Sequence, residues 1–181
     1  RPGPSLTGPV SVCTGSTGNV YTTEAGMTNY VWTVSAGGNI TAGGTNTSST
    51  VTVTWTTAGA RTVSVNYTNG FGCPALVATV LNVTVNASPV PTITGPTSIC
   101  VGTTGNVYTT QAGMSGYIWS VSAGGLITGG SGTSSITVTW NAAGAQTVSV
   151  NYTNANGCTA VTPTVYNVTV NAPPVPTITG Q

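Results

Sequence analysis

An all-β fold of two tandem sandwich modules is what three features of this 181-residue sequence predict. Val and Thr alternate in short runs such as Val51-Thr-Val-Thr-Trp55, glycine-rich steps separate those runs, and the whole pattern occurs twice. β-Branched residues are stiff at χ1 and suit a pleated sheet better than a helix. No segment spaces its apolar residues at a helical period.

Self-comparison sets the module length. Pro4-Ser-Leu-Thr-Gly-Pro9 returns as Pro91-Thr-Ile-Thr-Gly-Pro96, Cys13 as Cys100, Gly18-Asn-Val-Tyr-Thr-Thr23 as Gly105 to Thr110, and Tyr30-Val-Trp32 as Tyr117-Ile-Trp119, all 87 residues apart. After a loop two residues shorter in the second copy, Trp55 matches Trp140, Tyr67 matches Tyr152 and Cys73 matches Cys158. The expected modules are residues 4–88 and 89–175, with residues 176–181 as the opening strand of a further repeat. Such a strand could complete a sheet edge in a neighbouring copy, a variant the sequence leaves open. Asn86-Ala-Ser-Pro-Val-Pro91 reads as a linker that its prolines hold extended.

Within the first module the strands fall in order. A short opening strand near Ser5–Thr7 is followed by Asn19–Thr23, then by Tyr30–Ser35, where Tyr-x-Trp-x-Val places Tyr30 and Trp32 in the core. Tyr117 and Trp119 are their counterparts in the second copy. Ala36-Gly-Gly38 and Ala42-Gly-Gly44 read as turns. The strand Thr50–Trp55 directs Val51, Val53 and Trp55 inward, and Arg61–Tyr67 does the same with Val63, Val65 and Tyr67. Thr79–Asn86 closes the module. Six or seven short strands in such a length suit a β-sandwich.

The four cysteines permit three pairings. A module that folds alone should close its own pair, which predicts Cys13–Cys73 and Cys100–Cys158; four buried free thiols are the competing reading. Disulfides place the chain in an oxidising compartment, secreted or at a cell surface.

Composition narrows function by exclusion. Arg1, Arg61 and Glu24 are the charged residues, about 2% of the chain against roughly 25% in an average domain. With no His, Lys or Asp there is no Ser-His-Asp set and no phosphate-binding lysine loop, and one carboxylate cannot make the pair that glycoside hydrolysis uses. No enzyme, cofactor or metal is expected; two arginines cannot neutralise a nucleic-acid backbone, and no apolar run is long enough to insert in a membrane. Triplets such as Asn39-Ile-Thr41 fit glycosylation acceptors but arise easily in a Thr-rich chain.

The pattern Cys-x-Gly…Tyr-x-Trp-x-Val-x-x-Gly-Gly…Val-x-Val-x-Trp…Gly-Cys resembles the PKD-like, immunoglobulin-like repeats of large surface and secreted proteins of Bacteroidota. That resemblance implies spacer and display modules of adhesins. It departs from the founding Trp-x-Phe-Gly-Asp-Gly pattern, since Trp32-Thr-Val-Ser-Ala-Gly37 carries no Asp.

The function expected is therefore a non-catalytic repeat of an extracellular filament, stalk or adhesin that presents or spaces other domains, with other copies of itself or neighbouring repeats as its partners and glycans as a further class. The alternative is a carbohydrate-binding module of a secreted polysaccharide-degrading enzyme, with Trp55, Trp140, Tyr67 and Tyr152 as aromatic surfaces for stacking glycans. A third class, an ice-binding surface of regular Thr rows, is the most generic.

Overall fold

The computed structural model describes residues 1–178. They divide into two units, Arg1–Ser88 and Pro89 onward. Each is a sandwich of a four-stranded and a three-stranded sheet.

The first unit contains β1 (Ser11–Cys13), β2 (Asn19–Thr22), β3 (Thr28–Val34), β4 (Gly38–Gly43), β5 (Thr50–Trp55), β6 (Gly59–Thr68) and β7 (Thr79–Asn86). One sheet has the order β1-β7-β6-β3 and the other β2-β5-β4. β1 runs parallel to β7, with Cys13 opposite Asn86; the long pairs β3–β6 and β6–β7 are antiparallel. The second unit repeats the arrangement with β8 (Ser98–Cys100), β9 (Asn106–Thr109), β10 (Ser115–Val121), β11 (Gly125–Gly129), β12 (Ser135–Trp140), β13 (Gly144–Thr153) and β14 (Thr164–Asn171).

Two-residue alternation builds the core. Val51, Val53 and Trp55 of β5 are fully buried, as are Val63 and Val65 of β6, and the Thr and Ser residues between them face outward. They pack with Tyr21, Tyr30, Trp32, Tyr67, Val83 and Val85. Tyr108, Ile136, Val138, Trp140, Val148 and Val150 form the equivalent centre of the second unit. At about 25 cal/mol per Å² of apolar surface, each fully buried valine contributes roughly 1.5–3 kcal/mol.

Three expectations need correction. The turn expected at Ala36-Gly-Gly38 is present, closed by Gly38 N donating to Ser35 O at 3.2 Å, but Ala42 and Gly43 of the second expected turn belong to strand β4, which pairs along β5 and shifts register between Ile40 and Ala42. Its side chains are mostly exposed, so it carries no alternating signature. The opening strand near Ser5–Thr7 is a single bridge between Thr7 and Thr22, and the first true strand lies later, at Ser11–Cys13. Of the terminal strand expected at residues 176–181, the last three residues lie outside the described residues, and residues 172–178 form no strand.

A bulge in β3 shows how local chemistry is preserved between copies. Register shifts between Thr28 and Val31, and Asn29 takes a left-handed φ of 52°. Its counterpart Gly116 has φ 59° at the same bulge in β10. Glycine adopts this conformation without a Cβ penalty, and Asn is among the side chains that tolerate it.

Candidate functional sites: aromatic clusters, charged clamps and polar cysteines

The aromatic residues point inward. Trp55 and Trp140 are fully buried, and Tyr67 and Tyr152 are nearly so. They cannot offer a stacking platform to a sugar, which corrects that expectation. The physical reason is register: Trp55 shares its strand face with Val51 and Val53, so packing against the facing sheet covers it. Each indole N–H is used internally. Trp55 Nε1 donates to Tyr21 Oη at 3.1 Å, and Trp140 Nε1 to Tyr108 Oη at 3.2 Å. Burial pushes the Tyr21 and Tyr108 phenols above their usual pKa, and the indole hydrogen bonds draw them partly back.

Trp32 and Trp119 lie in the core, as do Tyr30 and, half-buried, Tyr117. Trp32 Nε1 donates to Ser48 O at 2.9 Å and Trp119 Nε1 to Thr133 O at 2.8 Å, so each indole ties down a loop of the facing sheet, between β4 and β5 or between β11 and β12. Tyr30 and Tyr67 meet edge to face at 5.8 Å, and Tyr117 and Tyr152 at 5.7 Å. Tyr30 Oη donates to Glu24 O at 2.6 Å and accepts from Met27 N at 3.0 Å, closing the turn into β3.

The two charged side chains inside the first module act as turn clamps. Glu24 accepts hydrogen bonds from Ser5 N at 2.9 and 3.1 Å and from Thr23 Oγ1 at 2.8 Å. Slight burial raises its pKa, but the bonds from Ser5 and Thr23 outweigh that and hold it at about 2. In the second copy Gln111 Oε1 accepts the same pair, from Thr92 N at 3.0 Å and Thr110 Oγ1 at 2.8 Å. Arg61 donates to Thr57 O at 3.2 Å and Ala58 O at 2.7 Å. Gln146 replaces it, donating to Ala142 O at 3.3 Å and accepting from Ser122 Oγ. The near-isosteric Gln111 at the equivalent position of the second copy is the sequence signal of this hydrogen-bonding role.

The cysteines depart from expectation. Cys13 and Cys158 are disulfide-bonded, whereas Cys73 and Cys100 are free, exposed thiols. The pairs Cys13–Cys73 and Cys100–Cys158 therefore do not form. Cys13 ends β1 opposite Asn86, where β7 finishes. Cys73 sits past the other end of β6, beside the Thr68–Pro74 bridge. A ten-residue strand such as β6 spans about 30 Å, and a disulfide needs Cα atoms within about 7 Å. Cys100, opposite Asn171, and Cys158, beside the Thr153–Thr159 bridge, are separated in the same way.

Among the described residues, no cluster of three or more His, Cys, Asp or Glu is poised to hold a metal, and no helix is long and apolar enough to cross a membrane. Among the same described residues, no buried side-chain polar atom lacks a partner. A groove of about 370 Å³ on the outer face of β3 and β6 is lined by Asn29, Val31, Thr33, Asn66, Tyr67 and Thr68 among others, and its one ionisable side chain is the Tyr67 phenol, whose pKa burial raises.

The profile of the PKD-like domain matches the chain twice, over residues 2–83 and 86–168. The chain belongs to the PKD-like domain family. By fold this PKD-like pair is similar to the D00-D0 domain of intimin, at 18% identity and TM-score 0.44, covering 93% of this chain and 99% of that one. It is also similar to a C-terminal fragment of intimin in complex with the intimin-binding domain of its translocated receptor, at 19% identity and TM-score 0.47, covering 92% and 64%. Domains 4 and 5 of the S-layer protein SbsC match at 16% identity and TM-score 0.35, covering 93% and 98%. At these identities the likeness is one of fold alone. No curated protein matches significantly.

In these PKD-like modules the turn after the core tryptophan is held without a carboxylate. Ser35 Oγ accepts from Thr62 N at 2.9 Å, and Ser122 Oγ from Thr147 N at 3.0 Å.

Proposed function

We propose that this PKD-like pair is a non-catalytic structural repeat of an extracellular filament, stalk or adhesin, spacing or presenting other domains. The observation that carries the reading is the exchange of charged for neutral residues between copies. Gln111 makes both contacts of Glu24 in the other module, and Gln146 makes at Ala142 O the contact that Arg61 makes at Thr57 O. A general acid or a charged recognition group would lose its chemistry on such a replacement; a turn clamp keeps its hydrogen bonds. The half-cystines Cys13 and Cys158 support residence in an oxidising compartment.

The test places the chain between a surface anchor and a reporter epitope, as wild type and as E24Q/R61Q. Equal epitope exposure and a melting temperature within a few degrees are the expected results. A folded neutral variant that loses display or adhesion would show that the charges serve recognition, and would contradict the reading.

A further inference from the structure

Each module carries one half-cystine and one free thiol, at opposite poles. Cys13 and Cys100 mark the pole where β7 and β14 end; Cys73 and Cys158 mark the pole where those strands begin. The free and bonded members of each equivalent pair share their backbone hydrogen bonds, although Cys158 is buried and Cys73 exposed. Cys13 O accepts from Ser16 Oγ at 2.7 Å, and Cys100 O from Thr103 Oγ1 at 2.8 Å. Asn154 N donates to Cys158 O at 2.9 Å and Asn69 N to Cys73 O at 3.0 Å; both cysteine N–H groups donate to the same asparagine's Oδ1 at 3.0 Å. Cys100 thus occupies the backbone position that is oxidised in Cys13, and Cys73 the one that is oxidised in Cys158. Both thiols are exposed, and neither can reach the other cysteine of its own module.

We propose that Cys100 and Cys73 are covalent coupling points between successive copies of this chain, Cys100 at the trailing pole of one copy bonding to Cys73 at the leading pole of the next. The proposal deepens the structural-repeat reading and rests on it. The partner is a second copy because a matching cysteine must sit at the opposite pole, which the repeat itself supplies. The bond forms by thiol–disulfide exchange with a small-molecule disulfide. One thiolate attacks it to give a mixed disulfide and release a thiol; the second protein thiolate then displaces the other thiol. Two protein thiols are oxidised and one small disulfide is reduced to two thiols. Such a bridge makes head-to-tail growth directional, since the two poles differ.

The test is a concatemer in which residue 175 of one copy is followed by residue 4 of a second, preserving the repeat spacing, with disulfides mapped by mass spectrometry in oxidised glutathione. A short linker raises the effective thiol concentration to about millimolar. The expected product is a peptide pair joining Cys100 of the first copy to Cys73 of the second, with the two outermost thiols free to alkylate. Cys100→Ser in the first copy should leave Cys73 of the second alkylated. Both inner thiols alkylated in the parent concatemer would overturn the proposal. For separate chains, C73S and C100S should each stay monomeric and form a dimer only when mixed; homodimers in each alone would mean indiscriminate oxidation. Stretching the concatemer in reductant separates the two failures: four module steps with unbonded inner thiols reject the cross-link alone, and absent steps reject the repeat reading.

Discussion

Glu24 gives a residue-scale prediction with a sign. Its pKa is held at about 2 in the folded module against 4.5 as the ordinary value. A depressed carboxylate stabilises the fold fully above pH 4.5, and that contribution is lost as pH falls toward 2. The first module should therefore melt progressively lower across that window. The second, with Gln111 in place, should not, and Glu24→Gln should flatten the profile of the first. Thermal melts of each separated module against pH would check this; parallel profiles would refute it. Trp55→Ala removes a fully buried indole and leaves a cavity, at a cost of about 3–5 kcal/mol. Tyr108→Phe is subtler. It strips the acceptor from the Trp140 N–H and should cost about 1–3 kcal/mol in denaturant titrations.

The sheets explain which parts of the fold were legible. Strands β5 and β6 announce themselves because each alternates buried valines with half-exposed Thr or Ser. Strand β4 does not, since Gly38-Asn-Ile-Thr-Ala-Gly43 is mostly exposed, with Gly38 serving packing and Gly43 taking a left-handed φ of 66°. A Cβ on Gly38 would meet the Trp55 ring, and one on Gly125 the Trp140 ring, so each glycine lets the indole lie against the backbone. Gly125→Ala should overpack that contact and destabilise the second module by about 1–3 kcal/mol, read as a lower denaturation midpoint at unchanged m-value. The core residues Trp32 and Trp119 were readable from the Tyr-x-Trp-x-Val spacing. The burial of Trp55 was readable too, from its phase with Val51 and Val53, and assigning it a glycan platform set that phase aside. The cysteine error has a different origin. Sequence reveals that the cysteines repeat, but their separation along the sheet depends on β1 pairing parallel to the end of β7, and a three-residue strand leaves little trace.

At the scale of the whole molecule, the account holds that two self-sufficient modules resist load through packing and backbone pairing, with no chemistry of their own. Each has its own core and its own pair of sheets. Single-molecule stretching of the chain in reductant tests this most directly. Roughly 80 residues per module at about 3.4 Å each predict two cooperative steps of about 25 nm, at comparable force. Extension in one step, or extension without resistance, would contradict the account.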